Sequence, residues 1–262
     1  MGDNLAASGA DDELARLLAV QAGQLLLALR DEKGYADPAA LRAGGDRAAH
    51  EYLIDALARY RPADAVLSEE SGTEWRRRDG RVWIVDPLDG TREFAEQGRS
   101  DWAVHVARWE RGRPMAGAVA LPARGEVLTT GDAHRPTPSG GKLRMAVSRS
   151  RPPAFTGELA GALDAETRPM GSAGVKIASV VLGETDLYVH AGGQYEWDSA
   201  APVAVALDAG LHASRIDGSP LVYNRDGAWL PDLVVCHRRD ADHVLAEIDR
   251  IVRGERGMNR CE

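Results

Sequence analysis

The sequence predicts an α/β (α+β) fold in two packed halves, and three observations lead there. Helical periodicity opens the chain. Short apolar runs separated by Gly, Pro and Arg then dominate as far as Thr130, and helix and strand patterns alternate after it. The length of 262 residues suits one large or two small domains, and 44% hydrophobic with 27% charged residues is an ordinary globular composition with a sizeable core. The segment GDAHRPTPSGG, 131–141, is the strongest linker signal. It divides an N-terminal α+β half, 1–138, from a C-terminal α/β half, 139–262, and a site between the two halves is expected.

Taken in order, residues 1–10 read as a flexible tail. Over 11–30, Leu14, Leu17, Leu18, Leu25 and Leu29 recur at helical spacing. YADPAALRAGG, 35–45, is rich in small residues and reads as a loop. A second helix begins near Asp46, carries His50, Leu53, Ile54 and Leu57, and is stopped by Pro62. AVLS, VWIVD, WAVHVARW, MAGAVALP and EVLTT read as strands. Beyond the linker come a strand at LRMAVS, helices at 155–163 and 173–183, a strand at DLYVHA, a helix at 198–209, a strand at 233–236 and a closing helix at 240–253. No repeat of 20–50 residues is evident.

A net charge of −8 argues against binding a long nucleic acid or an anionic membrane, yet permits a small anionic substrate at a local site. No apolar run approaches the roughly 20 residues of a membrane span. The acidic N-terminus lacks the basic and apolar regions of a secretory signal, so a cytoplasmic location is expected. Cys236 and Cys261 have neither metal-ligand spacing nor a disulfide framework. Cys236, in LVVC, reads as a core thiol. The seven histidines are scattered, as surface or core residues would be.

Five acids stand beside apolar runs: Glu69 and Glu70 after VLS, Asp86 and Asp89 in WIVDPLDGT, and Asp198 in EWDSAA. Pro87 forbids ladder pairing and Gly90 permits an unusual backbone. The strand therefore stops abruptly and presents two carboxylates, Thr91 and the Leu88 carbonyl around one turn. Two such carboxylates repel unless a cation neutralises them. All-oxygen ligands favour Mg²⁺, with Mn²⁺ as the alternative, over Zn²⁺. The competing reading is a plain turn in which Asp86 caps a helix and Asp89, Glu69 and Glu70 are solvated. Nucleotide-binding P-loop, dinucleotide, zinc-protease, serine-hydrolase and EF-hand motifs are absent.

LSEES (67–71), WIVDPLDGT (83–91), GSAG (171–174) and WDSAA (197–201) together resemble the inositol monophosphatase superfamily, over roughly 11–250. The resemblance implies a layered αβαβα sandwich of the inositol monophosphatase/fructose-1,6-bisphosphatase type. It also implies a Mg²⁺-dependent, lithium-sensitive phosphomonoesterase, and a homodimer. Arg92, Glu93 and Phe94 after the central motif, with AVSRS (146–150), are similar to the CysQ-type branch. That branch removes the 3'-phosphate of 3'-phosphoadenosine 5'-phosphate, a by-product of sulfate activation; inositol 1-phosphate and fructose 1,6-bisphosphate are the alternative substrates.

By the same resemblance, Glu69, Asp86 and the Leu88 carbonyl hold one ion. Asp86, Asp89 and Asp198 hold a second, and Asp46 positions a third together with the attacking water. Thr91 orients that water and relays its proton, with Glu70 as a supporting acid. Gly90, Thr91 and the amides of Gly171, Ser172 and Ala173 contact ligand oxygens, the latter at a helix N-terminus that Ser172 also caps. Arg149, Arg151, Lys142 and Lys176 are candidates for the second phosphate by position, and Ser150 is a further substrate-binding candidate. Tyr195 and Trp197 are candidates to stack on a base, a core role for Trp197 being equally open. The chain departs from the family pattern at 35–45, where Ala43 stands at a common threonine. Val189–His190 replaces a sugar-binding glutamate, which points away from inositol.

Overall fold

The computed structural model describes residues 2–71, 79–138 and 140–258. Two helices open the chain, α1 (Gly2–Lys33) and α2 (Pro38–Tyr60). The helix thus begins at Gly2, where the sequence reading placed a tail; an Ala-rich stretch without proline carries it backwards. The 35–45 segment is also corrected. Asp37 caps α2 by accepting from the Ala39 and Ala40 amides at 3.1 and 3.0 Å, and Pro38 fits the first turn, where no amide partner is needed. Gly44 and Gly45 suggested a loop, but Gly45 is there for packing: a Cβ on it would stand 2.8 Å from Phe94.

The first sheet follows: β1 (Ala65–Ser68), β2 (Val82–Asp89), then after the short α3 (Thr91–Phe94) β3 (Ala103–Glu110), β4 (Arg113–Leu121) and β5 (Glu126–Thr129). Its order is β1-β2-β3-β4-β5, with only β1 and β2 parallel. Beyond the 131–141 segment lie β6 (Arg144–Ser148), α4 (Thr156–Ala162), β7 (Glu166–Met170), α5 (Ala173–Val181), β8 (Leu187–Tyr195), α6 (Ala200–Asp208), β9 (His212–Ser214), β10 (Trp229–Cys236) and α7 (Ala241–Met258). The second sheet runs β7-β6-β8-β10-β9. β7 escaped sequence reading because ETRPM is a mostly exposed edge strand with no apolar alternation.

Strand periodicity sorts side chains into layers. Trp83 and Val85 face α1 and α2, packing with Leu18, Leu26, Leu53 and Leu57. Val82 and Ile84 face the other way, onto α5 and α6 through Val175, Ile177, Val203 and Val205. Those two helices are apolar on nearly every side because the second sheet covers their far face with Leu233 and Val235. Val234 and Cys236 point outward again, onto α4 and α7 through Leu159, Val244 and Ile248. The layers are therefore αβαβα, with α5 and α6 shared between the sheets. Cys236 is a buried free thiol, and Cys261 lies outside the described residues. Among the described residues no helix is long and apolar enough to cross a membrane.

Candidate active site

The site forms where β2 ends beside the N-terminus of α5 and the turn before α6. Asp86 pairs with His105 and Asp89 with Ala103, so two residues of β2, Pro87 and Leu88, oppose one of β3, Val104, between them. This bulge accommodates Pro87, which has no amide to give a ladder, and turns both carboxylates into one space. Gly90 follows in a left-handed conformation, φ +85°, with Asp101 and Trp102 backbone and Ser172 packed where a Cβ would be.

Asp86, Asp89 and Asp198 bring carboxylate oxygens within 4.8 Å of one another. They line a cavity of about 930 Å³ together with Glu69, Leu88, Gly90 and Thr91. Burial, reinforced by Glu69 and Asp89, holds Asp86 well above the ordinary carboxylate range. Asp198 is pushed up to about 7 by burial and then by Asp89. Glu69, exposed along its outer side, is pushed up to about 8 by partial burial and then by Asp198, Asp46 and Asp89. The Asp86 and Asp198 oxygens each accept one backbone amide, from Leu88 at 3.0 Å and Tyr195 at 2.7 Å. Asp86 does not cap a helix, as the competing turn reading required, whereas Asp198 closes a capping box on its own Glu196–Asp198 turn. An all-oxygen, mutually repelling set of this kind fits a hard divalent cation, which would remove the repulsion that now favours protons.

The nearest lysine does not neutralise the set. Lys176 is buried, its Nζ donating to the carbonyls of Gly171 at 2.5 Å and Ser172 at 2.8 Å, 5.2 Å from the Tyr188 ring centroid. Burial lowers it to about 8 against the pull of Asp89 and Glu93. His105, fully buried behind the bulge, has Nε2 3.4 Å from Asp89 Oδ2 and Nδ1 3.1 Å from the Trp197 carbonyl. Sequence reading passed over it as a core histidine; only β2–β3 pairing reveals what it touches.

Several expected contacts are corrected. The amides at 171–174 already hold protein carboxylates. Gly171 N–H donates to Asp101 at 2.7 Å, and Ala173 and Gly174 donate to Asp89 at 3.2 and 2.6 Å, joined there by the Ser172 hydroxyl. A helix N-terminus favours an anion, and Asp89 is the nearest one. Ser172 also caps α5 by accepting from Val175 N–H at 2.9 Å. Arg149 does not line the cavity: it bridges Glu93 at 2.6 Å and Glu96 at 2.9 Å. Lys142 pairs with Asp164 at 2.7 Å. Trp197 is a buried member of the central core, stacked behind Tyr195 at 4.6 Å. Asp46 and Glu70 line an adjoining cavity of about 380 Å³ with Ala43, Arg47 and His50. Burial and Glu70 push Asp46 up to about 7, opposed by Arg42.

Gly171 and Ala173 nevertheless line the main cavity, as do Ser150, Arg151, Lys176 and Tyr195. Sequence reading missed Arg42 and Trp229, which reach it from α2 and β10, and gave Arg92 no contact role. Among the described residues the guanidinium groups of Arg42, Arg92 and Arg151 make no hydrogen bond or salt bridge, whereas Arg16, Arg61, Arg124, Arg144 and Arg215 are all paired with carboxylates. Only the fold shows that the three share one wall-to-wall space.

Comparison with known proteins agrees with this geometry. A model of the inositol monophosphatase family matches residues 12–253. The 3'-phosphoadenosine 5'-phosphate phosphatase of Mycobacterium leprae is 48% identical over 258 residues, covering 92% of this chain and 94% of the relative. The protein of the same name from Mycobacterium tuberculosis is 50% identical over 239 residues, covering 87% and 89%. The crystal structure of CysQ from Bacteroides thetaiotaomicron superposes with a TM-score of 0.74 at 24% identity, covering 86% of this chain and 96% of that one, and shares the fold.

Proposed function

The chain belongs to the inositol monophosphatase family, and from that premise we propose that it hydrolyses the 3'-phosphate of 3'-phosphoadenosine 5'-phosphate, giving AMP and inorganic phosphate. The observation that carries the reading is a single cavity with two opposite characters. At its floor, Asp86, Asp89 and Asp198 crowd together with no lysine or arginine in a salt bridge to them among the described residues, and at its walls the guanidinium groups of Arg42, Arg92 and Arg151 make no hydrogen bond or salt bridge among those residues. An ester bearing two phosphates suits both ends, one phosphate over a metal-loaded floor and the other among the arginines. Removal of a by-product of sulfate activation is the role this implies.

Glu69, Asp86 and the Leu88 carbonyl would hold one Mg²⁺, and Asp86, Asp89 and Asp198 a second, with a third near Asp46; Mn²⁺ is the alternative ion. When bound, these ions supply an acidified water and charge neutralisation at the phosphoryl group. The chain's own contribution is placement. The β2 bulge fixes Asp86 and Asp89, and the α5 N-terminus with Ser172 anchors the Asp89 carboxylate. Thr91, at the first position of α3, orients the attacking water. Thr91 also relays the water's proton, and Asp46, with Glu70 as a supporting acid, helps position the water. Arg42, its charge felt at Asp46, keeps that acid from rising further. A homodimer, cytoplasmic location and lithium inhibition complete the reading, and sedimentation velocity tests the first.

The test is phosphate release from 3'-phosphoadenosine 5'-phosphate, inositol 1-phosphate and fructose 1,6-bisphosphate, each with Mg²⁺ or EDTA. The expected result is EDTA-abolished turnover with kcat/KM highest for the nucleotide. Preference for a sugar phosphate would overturn the substrate, and no release from any of the three would replace catalysis by binding.

A further inference from the structure

Two large aromatic side chains in the cavity wall remain in solvent, Tyr195 at 44% and Trp229 at 47% exposure. Exposed aromatics are costly, and here they are organised. Tyr195 stacks one face on Trp197, with ring centroids 4.6 Å apart and planes 10° apart. Trp229 meets Tyr195 nearly at right angles, 83°, at 5.4 Å. The two residues are cross-strand partners, Trp229 of β10 against Tyr195 of β8.

The backbone behind them is built to receive the indole. β8 bulges opposite β10 between Ala191 and Gln194, and Gly192 and Gly193 there take φ +101° and +91°, conformations that only glycine adopts cheaply. A Cβ on Gly193 would lie 1.7 Å from Trp229 Cζ2, so the indole occupies the space of the missing side chain. Beside this corner the Gln194 side chain is only 7% exposed, and neither its oxygen nor its nitrogen has a hydrogen-bond partner among the described residues. A closed protein rarely leaves an amide so.

We propose that Trp229 and Tyr195, set at right angles over the Gly192–Gly193 bulge, form the wall that receives the flat base of a nucleotide substrate, and that Trp229 sets the preference for nucleotides over base-free phosphate esters. The inference rests on the phosphatase reading above. Stacking supplies the discrimination because every nucleobase has a π-face and glycerol or inositol phosphates have none.

The experiment compares Trp229→Ala and Trp229→Phe with the unaltered chain in Mg²⁺, using 3'-phosphoadenosine 5'-phosphate and glycerol 2-phosphate. For Trp229→Ala, the ratio of kcat/KM between nucleotide and glycerol phosphate falls about 10- to 100-fold, chiefly through KM, and Trp229→Phe restores most of it. A second readout needs no turnover: AMP quenches tryptophan fluorescence of the EDTA-treated unaltered chain, and Trp229→Phe abolishes the quench. A nucleotide preference that survives Trp229→Ala, or equal losses on both substrates, overturns the wall while leaving the phosphatase reading standing. An unaltered chain that hydrolyses glycerol phosphate but neither hydrolyses nor binds the nucleotide overturns both.

Discussion

Asp89 shows how one carboxylate can serve both fold and chemistry. Its oxygens accept from Ser172 Oγ, Ala173 N–H and Gly174 N–H, and His105 Nε2 stands 3.4 Å away. Asp89→Asn keeps the shape and one acceptor oxygen but removes the charge a cation needs. Turnover should fall at least about 100-fold while the melting temperature moves by only a few degrees. Full activity in this variant, read by phosphate release, would remove Asp89 from the metal site. Gly174 supplies the complementary case. A Cβ there would stand 1.9 Å from His105 Nε2, inside a layer with no room to move. Gly174→Ala should therefore cost about 1–3 kcal/mol through overpacking, against the gain of about 1 kcal/mol that the same change brings in an exposed helix. A thermal melt unchanged or raised would show that His105 can step aside.

Among the elements, α3 is short, only Thr91–Phe94, and so needs external support. Arg149, at the end of β6, supplies it by spanning buried Glu93 and exposed Glu96. Arg149→Met leaves Glu93 without its cation, and a loss of about 1–2 kcal/mol is expected, discounted because the guanidinium is partly in water. Its kcat/KM for nucleotide and inositol phosphate should change in parallel. A loss confined to the nucleotide would return Arg149 to the substrate. This element also marks what was legible in the sequence. The acids of β2 and the pre-α6 turn could be read because each stands beside an apolar run, whereas the helix start at Asp37–Pro38 was hidden in a stretch whose small residues read as a loop. The ion pair of Arg149, the core position of Trp197 and the arrival of Trp229 could not be read. Each depends on pairing between segments distant in sequence, such as β8 with β10, which local periodicity does not encode.

At the scale of the whole molecule, two sheets and their shared helices enclose a cluster of carboxyls whose repulsion the protein alone does not relieve. Without metal, Asp46 and Asp198 sit near 7 and Glu69 near 8, with Asp86 also raised. The same groups titrate near 4 when unfolded. Between those limits the folded chain binds more protons than the unfolded one, so its stability falls as pH rises through the folded values. Carboxyls held low by partners, Glu110, Asp132 and Asp217, titrate below this window. The lowered histidines, His105, His190, His212 and His237, push the other way, but only up to about their unfolded value near 6.5. Lys176, lowered by burial to about 8, also pushes the other way above pH 7, so a comparison of pH 7.0 with pH 8.5 reads the raised carboxyls, which outnumber it, against this lysine. In EDTA the melting temperature should be higher at pH 7.0, by about 2–4 °C for each 1 kcal/mol of linkage. Added Mg²⁺ should raise it more at pH 8.5, because the ion no longer competes with protons for the same oxygens. Equal melting at both values in EDTA, or stronger stabilisation by Mg²⁺ at pH 7.0, would mean that the carboxyls between the sheets are not where the ion binds.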